Sequence, residues 1–185
     1  DYSKLFNSKY AVILNISADH LERHKTLHNY VSAKFKLIKN QKKNSIAFVN
    51  KHDPNINKKI GKNNYDSKII KVNTKLNKRY LKFFKNDYLL SSSNKQNLSF
   101  VLEISKEFKI KKKVLINVIN KFKGLKYRQQ VSLNKKNLLI INDSKSTSYS
   151  SSIEILKKTK NIYWLLGGIP KKGDKFKLPK KYFKN

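Results

Sequence analysis

Ala11-Val12-Ile13-Leu14-Asn15-Ile16-Ser17-Ala18-Asp19-His20 decides the fold class. Four consecutive apolar residues predict a strand covered on both faces, as in a parallel sheet, rather than the alternation of a half-wetted one. The run ends in a polar turn, after which Leu27, Tyr30, Lys34, Leu37 and Ile38 fall at helical spacing, with the small Ala33 beside Lys34. Strand, polar turn and helix make an α/β unit, and such sheets place ligands at the ends of their strands. Lys34 lies at the edge of the helix's apolar stripe. A lysine there ordinarily snorkels to water, but its nearness in sequence to Asp19 and His20 opens a chemical role as well.

Outward from this unit, Ser45–Val49 predicts a second buried strand, and Asn50-Lys51-His52-Asp53-Pro54 a turn into a helix started by Pro54. No function is assigned to that turn. Lys68–Val72, Tyr80–Phe84 and Asp87–Ser91 are strand-like, the last two as a hairpin across Lys85-Asn86. Asn94-Lys95-Gln96-Asn97 opens an amphipathic helix through Leu98, Val101, Leu102, Ser105 and Phe108. A second follows through Val114, Leu115, Val118, Ile119 and Phe122, and Gly124 stops it, which puts a domain boundary near residue 123.

Beyond that point a small hairpin separates two polar clusters. Apolar Leu138–Ile141, expected as a buried strand, runs into Asn142-Asp143-Ser144-Lys145-Ser146-Thr147. On pattern alone this is either a ligand site at a strand end or a turn and N-cap for a helix over Ser151–Leu156. Ile162–Leu166 predicts a further buried strand, leading into Gly167-Gly168-Ile169-Pro170-Lys171-Lys172.

Composition narrows the function classes. The 185 residues can bury a proper core as one large domain or two small ones. No cysteine is present, which excludes disulfides and thiolate metal sites. No methionine is present either, and the chain opens Asp1-Tyr2-Ser3, so an internal piece of a longer protein is expected. Nothing resembles a signal peptide, and the longest apolar stretch, Ile162–Ile169, is too short to span a bilayer. A cytoplasmic, monomeric protein without membrane insertion is the expectation. Lys and Arg outnumber Asp and Glu by 43 to 11, a net charge of +32 that attracts polyanions. Only Arg23, Arg79 and Arg128 are arginine, and the lysines are spread along the chain. That pattern suits AT-rich codon bias better than a groove-reading surface. A basic nucleic-acid-binding module is therefore the alternative, not the expectation.

The spacing Asn15-x-x-x-Asp19-His20-Leu21-Glu22-Arg23-His24, then Tyr30-x-x-Ala33-Lys34, resembles the central-domain motif of the Mur ligase family. Asn94-x-x-Asn97 resembles its His-Asn-x-x-Asn element, with Ser93 in place of the histidine. Gly124-Leu125-Lys126-Tyr127-Arg128 resembles its linker Gly-Leu-Pro-His-Arg, departing at Lys126 and Tyr127. Asn142–Thr147 resembles the Asn-Asp-Ser-Lys-Ala-Thr signature of the D-glutamate-adding branch, with Ser146 and Ser148 replacing the usual Ala and Asn. Gly167-Gly168 resembles its Leu-Gly-Gly-x-x-Lys segment.

The resemblance implies an ATP- and Mg²⁺-dependent ligase that joins D-glutamate to UDP-N-acetylmuramoyl-L-alanine in peptidoglycan precursor synthesis. It implies an α/β fold: part of a mostly parallel-sheet central domain over residues 1–123, then the first half of a Rossmann-like domain over 124–185. By the same resemblance Lys34, as a carbamate, and His20 hold the metal and, with Lys145, serve catalysis. Asn94, Asn97, Arg128 and Asp143 bind the nucleotide, while Lys145, Thr147 and Lys171, with Lys172 possible, meet the substrates. Asn94 reads equally as a helix cap. The Gly-x-x-x-x-Gly-Lys-Ser/Thr phosphate loop is absent; Gly61-Lys62 lacks the preceding glycine. In the family that loop lies upstream, so the isolated chain is expected to have negligible ligase activity. A sibling ligase for another amino acid, or a degenerate homologue, are the remaining alternatives.

Overall fold

The computed structural model describes residues 6–17, 21–76, 81–90, 92–169, 176 and 179. Its first sheet is fully parallel, with β1 (Tyr10–Ile13), β2 (Ile46–Asn50) and β3 (Lys68–Val72) in the order β1-β2-β3. Tyr10 stands opposite Ile46, and Ile46 opposite Lys68. β2 is central and buried along its whole length, which is why its sequence is a continuous apolar run. Helices α1 (Leu21–His24) and α2 (Leu27–Lys39) connect β1 to β2, and α3 (Pro54–Gly61) connects β2 to β3.

Both faces of β2 are covered, but β1, expected to be covered on both faces, alternates: Ala11 and Ile13 are buried while Tyr10 and Val12 are exposed. Ala11, Ile13, Ala47 and Val49 pack under Tyr30, Val31, Phe35 and Ile38 of α2 and Ile56 of α3. On the other face Ile46, Phe48 and Val72 pack against Phe100 of a later helix. Phe35, Phe48 and Ile56 are fully enclosed, each contributing about 1.5–3 kcal/mol by leaving water. The helical spacing of Tyr30, Val31, Phe35 and Ile38 is what turns α2's apolar stripe inward.

The segment after β3 departs from expectation. In place of a strand hairpin, α4 (Asp87–Leu90) is a short helix followed by α5 (Ser92–Glu107) and α6 (Lys112–Lys121). Asn86 decides this. Its Oδ1 accepts the Leu89 N–H at 3.1 Å, capping α4, while its Nδ2 donates to the Ile119 and Phe122 carbonyls at the end of α6. A cap that serves two helix ends at once outweighs the β propensity of the flanking Phe and Tyr residues. Phe84, Leu98, Leu102 and Ile119 form the core of this helical cluster.

β4 (Gln130–Lys135) and β5 (Leu138–Asn142) then make the expected antiparallel hairpin, with a bulge between Val131 and Leu133. The expected burial of β5 does not occur: Leu138, Leu139 and Ile140 are exposed. Helix α7 (Tyr149–Lys158) follows, two residues earlier than predicted. Ile162–Leu166 forms no strand, and Tyr163 and Leu165 are 94% and 96% exposed. Among the described residues no neighbouring strand pairs with this run, so its apolar side chains remain wet. Trp164 instead meets Tyr149 and Phe176 in a ring cluster with centroids 5.5–6.4 Å apart.

Candidate active site

The carboxyl ends of β1 and β2 are tied together by polar side chains. Asp53, buried after β2, accepts the Ile16 N–H at 2.7 Å through Oδ2 and the Ile56 N–H at 3.0 Å through Oδ1. It thus caps α3 and holds the chain leaving β1 with one carboxylate. Asn50 donates to the Leu14 carbonyl at 3.1 Å and accepts the His52 N–H at 2.8 Å. Asn55 donates to the Ile16 carbonyl at 3.1 Å. Three side chains therefore fix residues 14–16 just before Asp19 and His20, which lie outside the described residues.

This clamp is what sequence reading missed. Asp53-Pro54 was legible as a turn into a helix started by Pro54, but Asp53 was not read as its cap. That the same carboxylate also reaches back 37 positions to Ile16 was not legible either.

Next to the clamp, Lys34 and Asn15 line one open cavity of about 520 Å³, together with Val12, Leu14, Ala33 and Leu37. Lys34 is exposed, and its Nζ stands 4.9 Å from the centroid of the Tyr30 ring one turn back. A strand end and the following helix thus bring the Lys34 amine to the place where open parallel sheets collect ligands.

The two helix-start asparagines meet each other. Asn94, buried, donates to the Tyr88 carbonyl at 2.8 Å, and the Asn97 Nδ2 lies 3.5 Å from the Asn94 Oδ1. Asn94 lies inside α5, not at its cap, and its amide holds the preceding helix. Asn97 is the more exposed of the pair.

The linker and the strand-end cluster are clasped together. Asp143 accepts the Gln129 N–H at 3.0 Å and the Ser146 hydroxyl at 2.7 Å. The Lys145 N–H donates to the Tyr127 carbonyl at 2.9 Å. Arg128 sits between Tyr127 (φ 63°) and Gln129 (φ 47°), both in the left-handed region. Such conformations in non-glycine residues cost about 1–3 kcal/mol each and persist where surroundings impose them; here the clasp does so. Arg128, Lys145 and Thr147 are all exposed.

The predicted residues therefore fall into three groups: Lys34, the Asn94–Asn97 pair, and Arg128 with Asp143 and Lys145. No hydrogen bond or ring contact among the described residues links one group to another. Lys171 and Lys172 lie outside the described residues, as does His20. Among the described residues no group of His, Cys, Asp or Glu could by itself hold a metal ion, and no helix is long and apolar enough to cross a membrane.

Residues 1–123 match the Mur ligase middle domain. The chain belongs to the Mur ligase family. Among curated Mur ligases, the UDP-N-acetylmuramoylalanine–D-glutamate ligase of Rickettsia felis is 33% identical over 192 residues, which cover 94% of this chain and 42% of that protein. The enzyme of the same name from Buchnera aphidicola subsp. Schizaphis graminum is 37% identical over 195 residues, 95% of this chain and 43% of its own length. The chain spans about two-fifths of the length of these relatives. A crystal structure of MurF from Acinetobacter baumannii superposes with a TM-score of 0.57 at 13% identity, over 84% of this chain and 38% of that one. At that identity the likeness speaks for the fold.

Proposed function

We propose that the chain works as part of an ATP-dependent ligase that joins D-glutamate to UDP-N-acetylmuramoyl-L-alanine. The observation that carries this is the pairing of Lys34 with Asn15 in one cavity at the carboxyl end of β1. The relatives' names and the Asn142–Thr147 signature support the choice of amino acid. The division of labour is residues 1–123 for metal and part of the nucleotide, and 124–185 for the linker, the rest of the nucleotide and the incoming amino acid.

In the reaction the substrate carboxylate takes the γ-phosphoryl group of ATP and ADP leaves. The D-glutamate nitrogen then attacks the acyl carbon of that acyl phosphate, inorganic phosphate leaves, and the nitrogen loses a proton to give the amide. A free carboxylate resists this attack because oxide is a poor leaving group. Positioning and charge neutralisation supply most of the catalysis in phosphoryl transfer. Arg128, Asp143, Asn94 and Asn97 orient the nucleotide; Lys145, Thr147 and Lys171 orient the carboxylates.

Lys34 suits carbamylation. Its exposed amine is open to carbon dioxide: the ammonium gives up one proton to become a nucleophile and a second as the nitrogen bonds the carbon, which turns a cation into an anionic oxygen donor suited to Mg²⁺. Mg²⁺ would be held by His20 and that carbamate, where it would offset phosphate charge. Leaving the Tyr30 ring costs the amine about 0.5–1 kcal/mol, a small term beside metal binding.

The test is ADP release by the full-length protein in the presence of UDP-N-acetylmuramoyl-L-alanine. Release that needs D-glutamate supports the proposal; release driven by a different amino acid assigns a sibling ligase, and none in any case a degenerate one. The 185-residue chain alone should release no ADP, because it lacks the glycine-rich phosphate loop.

A further inference from the structure

The amino ends of the parallel strands, at the sheet edge opposite Lys34, carry a second polar cluster. The register aligns Lys9, Ser45 and Ser67, each one position before Tyr10, Ile46 and Lys68. The Ile46 N–H donates to the Lys9 carbonyl and the Lys68 N–H to the Ser45 carbonyl, both at 2.9 Å. A cavity of about 600 Å³ opens here between Lys43, Asn44, Ser45, Asp66, Ser67 and Lys68.

Ser67 is 5% exposed, yet its hydroxyl has no hydrogen-bond partner. Among the described residues only two other buried side-chain atoms are orphaned, Ser8 Oγ and Gln41 Oε1. Both precede strands of the same sheet at the same edge, Ser8 before β1 and Gln41 before β2. A buried, unpaired polar group costs about 1–3 kcal/mol, so such groups are few in folded proteins and ask for a partner. Lys43 and Lys68 bring two positive charges against the one carboxylate of Asp66, and no ion pair joins them among the described residues.

We propose that this edge binds inorganic phosphate. Lys43 and Lys68 offset its charge, and the Ser67 hydroxyl donates to a phosphate oxygen and so gains its missing partner. Asp66 accepts a hydrogen bond from the hydroxyl that inorganic phosphate retains near neutral pH. Sulfate, of similar size, has no proton to give, and its oxygens would face the carboxylate with no hydrogen bond between them. The site is separate from the Lys34 cavity and stands whether or not the ligase reading does.

Titration of the 185-residue chain with inorganic phosphate, and with sulfate at matched ionic strength, followed by amide NMR shifts, tests this. Saturable shifts confined to residues 43–46 and 66–68 are expected for phosphate and weaker ones for sulfate. Ser67→Ala should weaken phosphate binding about tenfold, the worth of one hydrogen bond to a charged group, without loss of fold, because it removes an unpartnered hydroxyl. Asp66→Asn should bring sulfate up to phosphate. Glycerol phosphate, whose second pKa of about 6 leaves it largely without that proton at neutral pH, should respond more weakly than inorganic phosphate, as sulfate does. Equal response to both anions, shifts spread over surface lysines, or an unchanged affinity in Ser67→Ala would reduce the effect to attraction by the chain's +32 charge and overturn the proposal.

Discussion

Gln129 and Asp143, 14 positions apart, are joined by a 3.0 Å hydrogen bond from the Gln129 N–H to the Asp143 carboxylate. The other carboxylate oxygen accepts the Ser146 hydroxyl, so this one side chain closes the linker onto the strand end. Asp143→Ala should leave that N–H unsatisfied and cost about 1–3 kcal/mol locally. Amide hydrogen exchange at Gln129 and Lys145 is the readout: both should accelerate in the variant, whereas unchanged protection would mean the clasp does not hold Arg128 in place.

Asp53 makes the equivalent tie in the parallel sheet. Asp53→Ala removes a helix cap, worth about 0.5–2 kcal/mol, and orphans the Ile16 N–H as well. The expected loss in chemical denaturation therefore exceeds that of a cap alone. A loss no larger than that of Thr26→Ala, whose side chain caps only its own helix at Asn29, would show that the reach to Ile16 contributes nothing.

Gly124 has φ +83°, and a Cβ there would stand 3.1 Å from the Tyr88 ring. Gly124→Ala should destabilise by more than the roughly 1–2 kcal/mol of a left-handed alanine, because the ring must also move. Adding Tyr88→Ala should recover the steric part and leave the backbone part. Non-additivity of the two changes is the measurement, and strict additivity would rule out the contact.

Burial pushes the Tyr65 phenol above its ordinary value of 10.0. The folded chain then holds this proton more tightly than the unfolded chain. The corresponding stability is fully present below about pH 10 and is lost as pH rises through the raised folded value. Comparing unfolding of the wild type and Tyr65→Phe at pH 8 and pH 11 isolates the effect from lysine titration. The wild type should lose more stability over that range than the variant, which has no phenol to ionise.

Local rules in the sequence were strong enough to reveal the parallel sheet and its helices, because β2 is buried on both faces and α2 on one, and each environment leaves its own periodicity. They failed where one polar side chain decided the matter. Asn86 made a helix of strand-like Asp87–Leu90 by capping two helix ends, a fact that depends on residues 119 and 122. They failed also for Leu138–Ile140 and Ile162–Leu166, whose apolarity announces a covered sheet that the described residues do not form. For the candidate site, Lys34, Arg128 and Asp143 were each singled out from motifs. The ties from Asn50, Asp53 and Gln129 were not, since they join backbone groups that carry no side-chain signature.

Lys34 is where the ligase reading is most exposed to test. In the full-length protein, Lys34→Ala should abolish D-glutamate-dependent ADP release, because the carbamate oxygen that would hold Mg²⁺ is gone. Formate or acetate at high concentration should then restore part of that activity by placing a carboxylate in the vacated space. Partial rescue by the short acids, absent with chloride at equal ionic strength, is the predicted result. Undiminished D-glutamate-dependent ADP release in Lys34→Ala would contradict it.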